Sequence, residues 1–252
     1  MKHYLIFAGT TEGRKLIEFL ISKKDVQITA CTATEYGKIL LPEAPNLTVL
    51  SKRLEFEDMV TLMQDNKFDG VYDTTHPYAV LVSQNILAAT KEAHLLYFRI
   101  VRPEEEFEDD GTIVYVNSME EAVSYFSGTT GNILSTTGSK ELPALCKLSD
   151  YQNRVYARIL SNPEMVSSSF ELGFQGKHLI CMQGPFSEEL NTALIHQFDI
   201  SYVLTKNSGK LGGFLEKVNS ARKTGTTLVV IGRPTKEEGF TLSESSRRLT
   251  II

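Results

Sequence analysis

A chain of 252 residues, 42% hydrophobic and 23% charged, holds one large soluble domain or two small ones, and no apolar run approaches the ~18–20 residues of a membrane span. Its net charge of -5 argues against nucleic acid as the partner, while leaving open a local cationic field that would attract a small anion. Cys31, Cys146 and Cys181 are far apart and form no Cys-x-x-Cys pair, so neither a disulfide framework nor a zinc site is expected; Cys31 and Cys181, inside apolar runs, read as buried thiols of a reducing cytoplasm.

The apolar stretch at residues 1–9 is too short for a secretory signal and reads as a buried first strand. Strands are expected over 3–8, 26–32, 47–50, 68–73 and 95–99, with helices over 12–22, 56–64 and 78–93 between them. In the first helix Leu16, Ile17, Phe19, Leu20 and Ile21 form the apolar side, and Arg14, Lys15, Glu18 and Ser22 the wet one. Arg102-Pro103 and the acidic stretch 104–111 then break the alternation, which makes this the expected domain boundary. Beyond it, strands are expected over 112–116, 132–135, 153–159, 178–182, 201–205 and 226–231, and helices over 119–126, 140–148, 163–172, 187–197 and 214–224. Repeated β-α-β units predict an α/β fold, with two lobes of mainly parallel sheet, 1–103 and 104–252, and a cleft between them.

Ligands of open α/β sheets bind outside the carboxyl ends of the strands, and here those ends are rich in polar residues. Gly9-Thr10-Thr11-Glu12-Gly13-Arg14 opens the first helix, where glycines permit a tight turn and the helix start favours an anion; a turn serving packing alone is the competing reading. The spacing matches neither the Gly-x-Gly-x-x-Gly fingerprint nor a Gly-Lys-Ser/Thr loop. After the second strand, Thr32, Thr34 and Lys38 suit a phosphorylated ribose and favour NADP over NAD, against the reading of a plain threonine-rich edge. At the next corner, Asp73-Thr74-Thr75-His76-Pro77-Tyr78-Ala79, proline restrains the backbone of His76, which either serves chemistry or shapes the turn. The second lobe has an echo of the first: "FAGTTEGRKL" and "LSTTGSKEL" each set Thr-Thr, glycine and a basic residue at a helix start. Gln183 to Glu189 and Thr205 to Gly213 are further polar strand ends, the latter with glycines, hydroxyls and two lysines suited to an anion. Arg99, Arg102, Arg158 and Arg233 fall near strand ends, so a cationic rim is expected; no carboxylate–histidine cluster has metal spacing, and no metal site is expected.

The motifs "GTTEGRKL", "DTTHPYA", "STTGSKEL", "MQGPFSEELN" and "TKNSGKLGGFLEK" stand in the order they take in the precorrin-6A reductase family of cobalamin biosynthesis, which the chain resembles from about residue 3 to Pro234. That resemblance implies two Rossmann-like lobes, with NADPH on the first and a corrin precursor, with or without cobalt, in the cleft, where one double bond is reduced. It implies NADPH contacts at Gly9, Thr10, Thr11, Glu12, Gly13, Arg14, Thr32, Thr34 and Thr75. Macrocycle contacts follow at Ser139, Lys140, Gln183, Lys206, Ser208, Gly209, Gly212 and Gly213, with His76 and Tyr78 as the catalytic candidates. The expected protein is a cytoplasmic monomer or homodimer that binds a small-molecule corrinoid and neither nucleic acid nor membrane. The alternatives are an NADPH-binding sensor and an NADP-dependent reductase of another small anion; a short-chain reductase would need Tyr-x-x-x-Lys on one helix, and no predicted helix has it.

Overall fold

A computed structural model describes residues 1–102, 110–207, 209, 213–233 and 238–245. The chain divides into two compact units, Met1–Pro103 with Thr235–Ile252, and Glu104–Pro234. The first contains β1 (Lys2–Phe7), α1 (Thr11–Ile21), β2 (Val26–Thr32), α2 (Glu35–Ile39), β3 (Leu47–Ser51), α3 (Phe56–Asp65), β4 (Gly70–Asp73), α4 (Val80–Glu92) and β5 (Tyr97–Arg99). Its strands are parallel in the order β3-β2-β1-β4-β5. Alternation in β1 sends Tyr4 and Ile6 to one face, against Leu16, Ile17 and Leu20 of α1, and Leu5 and Phe7 to the other, against Met59, Met63, Ile86 and Ala89.

The second unit contains β6 (Ile113–Val116), α5 (Met119–Ser127), β7 (Asn132–Ser135), α6 (Leu142–Leu145), α7 (Tyr151–Arg154), β8 (Val155–Ile159), α8 (Pro163–Glu171), β9 (Leu179–Cys181), α9 (Glu188–Gln197), β10 (Ile200–Lys206), α10 (Phe214–Thr224) and β11 (Thr227–Ile231). These strands too are parallel, in the order β6-β11-β10-β7-β8-β9. One face of this sheet packs Leu134, Tyr156, Val203, Leu228 and Val230 against Ile195 of α9 and Phe214, Val218 and Ala221 of α10. The strand order reverses between β1 and β4 in the first sheet and between β7 and β10 in the second, so the connections at these points diverge and leave a crevice at the carboxyl ends.

Several local expectations are corrected. The short helix α2 is absent from the periodicity reading; Thr34 nucleates it by accepting a hydrogen bond from the Gly37 N–H at 3.1 Å. The expected helix over 140–148 is instead a 3-10 turn, Ser139–Glu141, followed by α6, because the ring of Pro143 would clash with the residue 139 carbonyl in a continuous helix. Cys181 is exposed, since β9 is an edge strand, whereas Cys31 is buried and its thiol is pushed up to about 12 by that burial. The expected second lobe running from 104 to 252 loses its tail. Phe240 bridges in parallel to Ile100 beyond β5, and Leu242 packs on the α1 side of the first core.

Gly13 marks where α1 presses on the switch strands. A Cβ there would collide with the Thr74 hydroxyl and approach Ala8 Cα to 3.2 Å, and Thr74 is buried with its hydroxyl donated to the Phe7 carbonyl at 2.7 Å. Gly13→Ala should therefore destabilise by about 1–3 kcal/mol in urea unfolding, outweighing the ~1 kcal/mol helix-propensity gain. An unchanged or raised midpoint would contradict this packing account.

Candidate functional site

In the first unit the site is built from the ends of β1 and β4. Gly9 adopts φ 139°, open to glycine, and a Cβ on it would meet nothing within 4 Å, so the space above the turn is clear. Thr10 caps α1 by accepting from the Gly13 N–H at 3.2 Å, and its own hydroxyl donates across the strand-order reversal to the Thr74 carbonyl at 2.7 Å. Its hydroxyl is thereby committed within the protein, and what the turn offers a ligand is the backbone N–H array and the positive end of α1. Thr11 is half-buried in the first turn, and Arg14 pairs with Glu18 at 3.7 Å.

Glu12 would oppose an anion here if its charge were open. It is 6% exposed and bound in bidentate fashion by Arg102, whose Nε lies 2.5 Å from Oε1 and whose Nη2 bonds Oε2. Burial raises the Glu12 pKa, but the Arg102 hydrogen bonds and charge prevail and hold the carboxyl below its ordinary value. Glu12 thus faces the protein interior, compensated by Arg102.

Asp73, fully buried at the end of β4, fixes the neighbouring loop. Oδ1 accepts from the Thr75 N–H (2.9 Å), the Thr75 hydroxyl (2.7 Å) and Arg99 Nη1 (2.8 Å), while Oδ2 accepts from the Tyr97 hydroxyl (2.8 Å). Thr75 also meets Ser83 of α4 at 2.9 Å. His76 follows this anchored turn. Its Nδ1 accepts from the Tyr78 N–H at 3.3 Å, which assigns the proton of the neutral ring to Nε2, and the ring lies 5.6 Å from that of Tyr78. At the end of β2, Thr32 is buried and donates to the Thr34 carbonyl at 3.1 Å; Thr34 and Lys38 are exposed.

The second unit repeats the device. Thr136 donates through both N–H and hydroxyl to the Leu204 carbonyl of β10, at 2.9 and 3.0 Å, as Thr74 does to the Phe7 carbonyl in the first unit, at 3.2 and 2.7 Å. Gly138 adopts φ 92° with open space above it, Ser139 is half-buried and Lys140 exposed. On the other side of the reversal Lys206 lies 2.5 Å from Glu141, and the buried Asn207 accepts from the Gly209 N–H at 3.3 Å. Gly213, left-handed at φ 71°, starts α10. Ser208 and Gly212 lie outside the described residues. Gln183 is exposed beyond the edge strand β9, two strands from the reversal, and is not gathered with the others.

The expected cationic rim is also corrected. Arg99 and Arg102 are buried on Asp73 and Glu12, and Arg158 is buried beneath the loop before α9. Sequence reasoning missed these carboxylate partners, and it missed Lys217, whose signal was a lysine inside the Phe214-Val218-Ala221 stripe of α10. Tyr202 and Lys206 do have Tyr-x-x-x-Lys spacing, but along strand β10, where four residues span about 13 Å and cannot form a helical pair. Among the described residues no helix is long and apolar enough to cross a membrane, and no group of three His, Cys, Asp or Glu is placed to hold a metal.

Two glycine turns thus face open space beside strand-order reversals. The family model described as "Precorrin-6x reductase CbiJ/CobK" matches residues 3–249. The chain belongs to this family. It is 33% identical over 243 residues to the cobalt-precorrin-6A reductase of Priestia megaterium, covering 95% of this chain and 93% of that one. It is 34% identical to that of Salmonella typhimurium, covering 92% and 87%. The solved structure titled "CobK precorrin-6A reductase" aligns with TM-score 0.75 at 20% identity, covering 100% of this chain and 97% of that one, and shares the fold. Membership in this reductase family makes the chain an oxidoreductase, a class consistent with a nicotinamide cofactor.

The Glu12–Arg102 pair is open to a direct check. Arg102→Met alone should cost about 3–5 kcal/mol by stranding a buried carboxylate, whereas Glu12→Leu with Arg102→Met should recover most of that. Since the folded Glu12 pKa is depressed, the pair's stabilisation is full above its ordinary 4.5 and is lost as pH falls below it. Denaturant melts of the three proteins at pH 7 and 4 check both statements; equal losses in single and double variants would exclude the compensation.

Proposed function

We propose that this protein reduces one double bond of cobalt-precorrin-6A, or of its cobalt-free counterpart, with NADPH as hydride donor, in cobalamin biosynthesis. The reading rests on the family match over residues 3–249 joined to one observation: an open Gly9 turn at the start of α1, beside the β1/β4 reversal. That turn suits the diphosphate of a dinucleotide, because backbone N–H groups and the helix dipole favour negative charge and Glu12 is neutralised by Arg102. Gly9, Thr10, Thr11, Gly13 and Arg14 would hold the cofactor at that end, and Thr34 with Lys38 would meet its 2′-phosphate. Thr32 and Thr75 support those contacts through their own bonds to Thr34 and Asp73. Ser139, Lys140, Lys206, Ser208, Gly209, Gly212 and Gly213 are the proposed macrocycle contacts, with Gln183 at their periphery. The reaction needs no membrane and no nucleic acid, and the cytoplasm is the compartment that fits it; the protein would work as a monomer or homodimer.

When bound, NADPH supplies the hydride. The chain's own task is geometric, because the reacting carbons must be held in a near-attack pose and small misplacements are costly. Asp73 performs this for the His76 loop, tying Thr75 to Arg99 and Tyr97 so that the Thr75-His76-Pro77 backbone is fixed. His76, with Nδ1 turned to the Tyr78 N–H, stands on this fixed turn as the residue that would orient the nicotinamide or the macrocycle.

Purified protein with NADPH and cobalt-precorrin-6A should oxidise the cofactor and change the macrocycle's absorption spectrum, and calorimetry should show NADPH bound about tenfold or more tightly than NADH. No oxidation with either macrocycle would refute the reductase reading; equal affinities would refute the 2′-phosphate contact alone.

His76→Asn and His76→Ala, assayed from about pH 5.5 to 9, should lose part of kcat/KM, less than the ~10²–10⁴-fold of an obligatory acid, and keep the shape of the pH profile. Unchanged activity with a lowered melting temperature would reduce His76 to a turn residue.

A further inference from the structure

The chain leaves the first unit at Pro103, builds the second, and returns to the first with Thr235–Ile252. The returning tail lies along the segment that carries both buried arginines of the first unit, Arg99 on Asp73 and Arg102 on Glu12. Strand β5 pairs with β4 on one side only. The tail supplies backbone partners on the other side. Phe240 donates its N–H to the Arg99 carbonyl at 2.9 Å and accepts at its own carbonyl from the Val101 N–H at 2.8 Å. Gly239 comes closer still: a Cβ there would stand 2.5 Å from the Arg99 carbonyl oxygen, 2.7 Å from Val101 Cγ1 and 3.1 Å from Arg99 Cβ. The tail is anchored just beyond this contact. Glu244 Oε2 accepts from the Thr241 N–H at 2.7 Å and from its hydroxyl at 2.8 Å, Leu242 packs on the first core, and Ser245 is buried.

Covering an edge does not by itself require backbone contact this close, since charged side chains, a proline or a bulge protect an edge as well. Glycine at such a contact also costs conformational entropy on folding. What the contact holds in place is the residue at its centre. From Arg99, Nη1 donates to Asp73 Oδ1 at 2.8 Å, to the Asp73 carbonyl at 3.2 Å and to the Thr75 hydroxyl at 3.3 Å. The next residue, Ile100, donates its N–H to the same Asp73 carbonyl at 2.9 Å. Thr75 precedes His76, so one residue joins the tail backbone to the turn that bears the histidine. We infer that Gly239 and Phe240 are positioning residues of the reductase reaction, which hold the Arg99 backbone and, through Arg99, Asp73 and Thr75, set the place of His76. Neither residue meets a ligand in this account. The inference rests on the reading of His76 as the residue that orients the nicotinamide or the macrocycle.

Gly239→Ala must move the tail and Arg99 apart by about 1 Å to restore an ordinary contact of about 3.5 Å. A shift of that size, far from the chemistry, costs up to ~10²-fold in rate, and kcat/KM for cobalt-precorrin-6A should fall about tenfold. Placed on His76→Ala, the same substitution should cost less than about twofold, because the group it positions is already absent. Rates are expressed per NADPH site counted by calorimetry, so that a smaller folded fraction does not register as a slower enzyme. Thr241→Ala removes the cap without touching Arg99 and serves if Gly239→Ala does not fold. It should lower kcat/KM about two- to threefold in the wild-type background and leave that of His76→Ala unchanged. Equal losses in the two backgrounds would make the tail an ordinary structural strand and overturn the inference, as would folded tail variants with full activity. Full activity of His76→Ala itself would remove the route through His76, and the inference with it, while leaving the reductase reading intact. A wild type inactive on both macrocycles would instead remove that reading and the role of the tail together.

Discussion

The first unit depends on how two buried carboxyl groups are partnered inside it. Asp73 and Glu12 are buried at the carboxyl ends of the sheet and the start of α1, where an isolated carboxylate is strongly disfavoured, and each is held by an arginine that follows β4 in the chain. Through Asp73 the loop bearing His76 is tied to β5, because the carboxylate bonds Thr75 on one side and Arg99 and Tyr97 on the other. Through Arg102 the start of α1 keeps its positive character with an acidic residue in its first turn. Both arginines are consumed in this way, and the corner that would receive a dinucleotide works with backbone groups and open space above Gly9.

The second unit uses the same architecture with a different distribution of charge. In both units a threonine after the central strand donates across the strand-order reversal to a carbonyl at the neighbouring strand, Thr10 to Thr74 and Thr136 to Leu204, which closes the backbone at the point where the connections diverge. Around the second reversal, however, Lys206 meets Glu141, while Arg158 is buried on Asn191 and Lys217 on the Gly213 carbonyl.

Much of the architecture is legible in the chain itself. The α/β alternation, the strand ends with chemistry and the paired Thr-Thr-Gly turns follow from hydrophobic period and turn residues, and these are local properties. The short helix α2 escaped because five residues with a threonine cap leave no periodic trace. The helix expected over 140–148 takes no account of Pro143, which breaks it. Lys217 was visible too, as a lysine within an apolar stripe, yet the same pattern describes a side chain that snorkels to water.

By itself, the sequence determined the order of elements, the parallel α/β class, the corners where polar residues collect and the family to which those corners belong. Tertiary structure decided which polar groups are buried and with whom. Glu12 and Arg102 stand 90 residues apart and meet because strand order places β1 beside β4 and β4 beside β5. Phe240 and Leu242 join the first unit for the same reason, since the open edge at β5 offers backbone and apolar surface that no local pattern in the tail announces. Periodicity reports on which side of an element faces the core; it contains no record of which elements become neighbours, and at these corners the pairing of charges depends on neighbours alone.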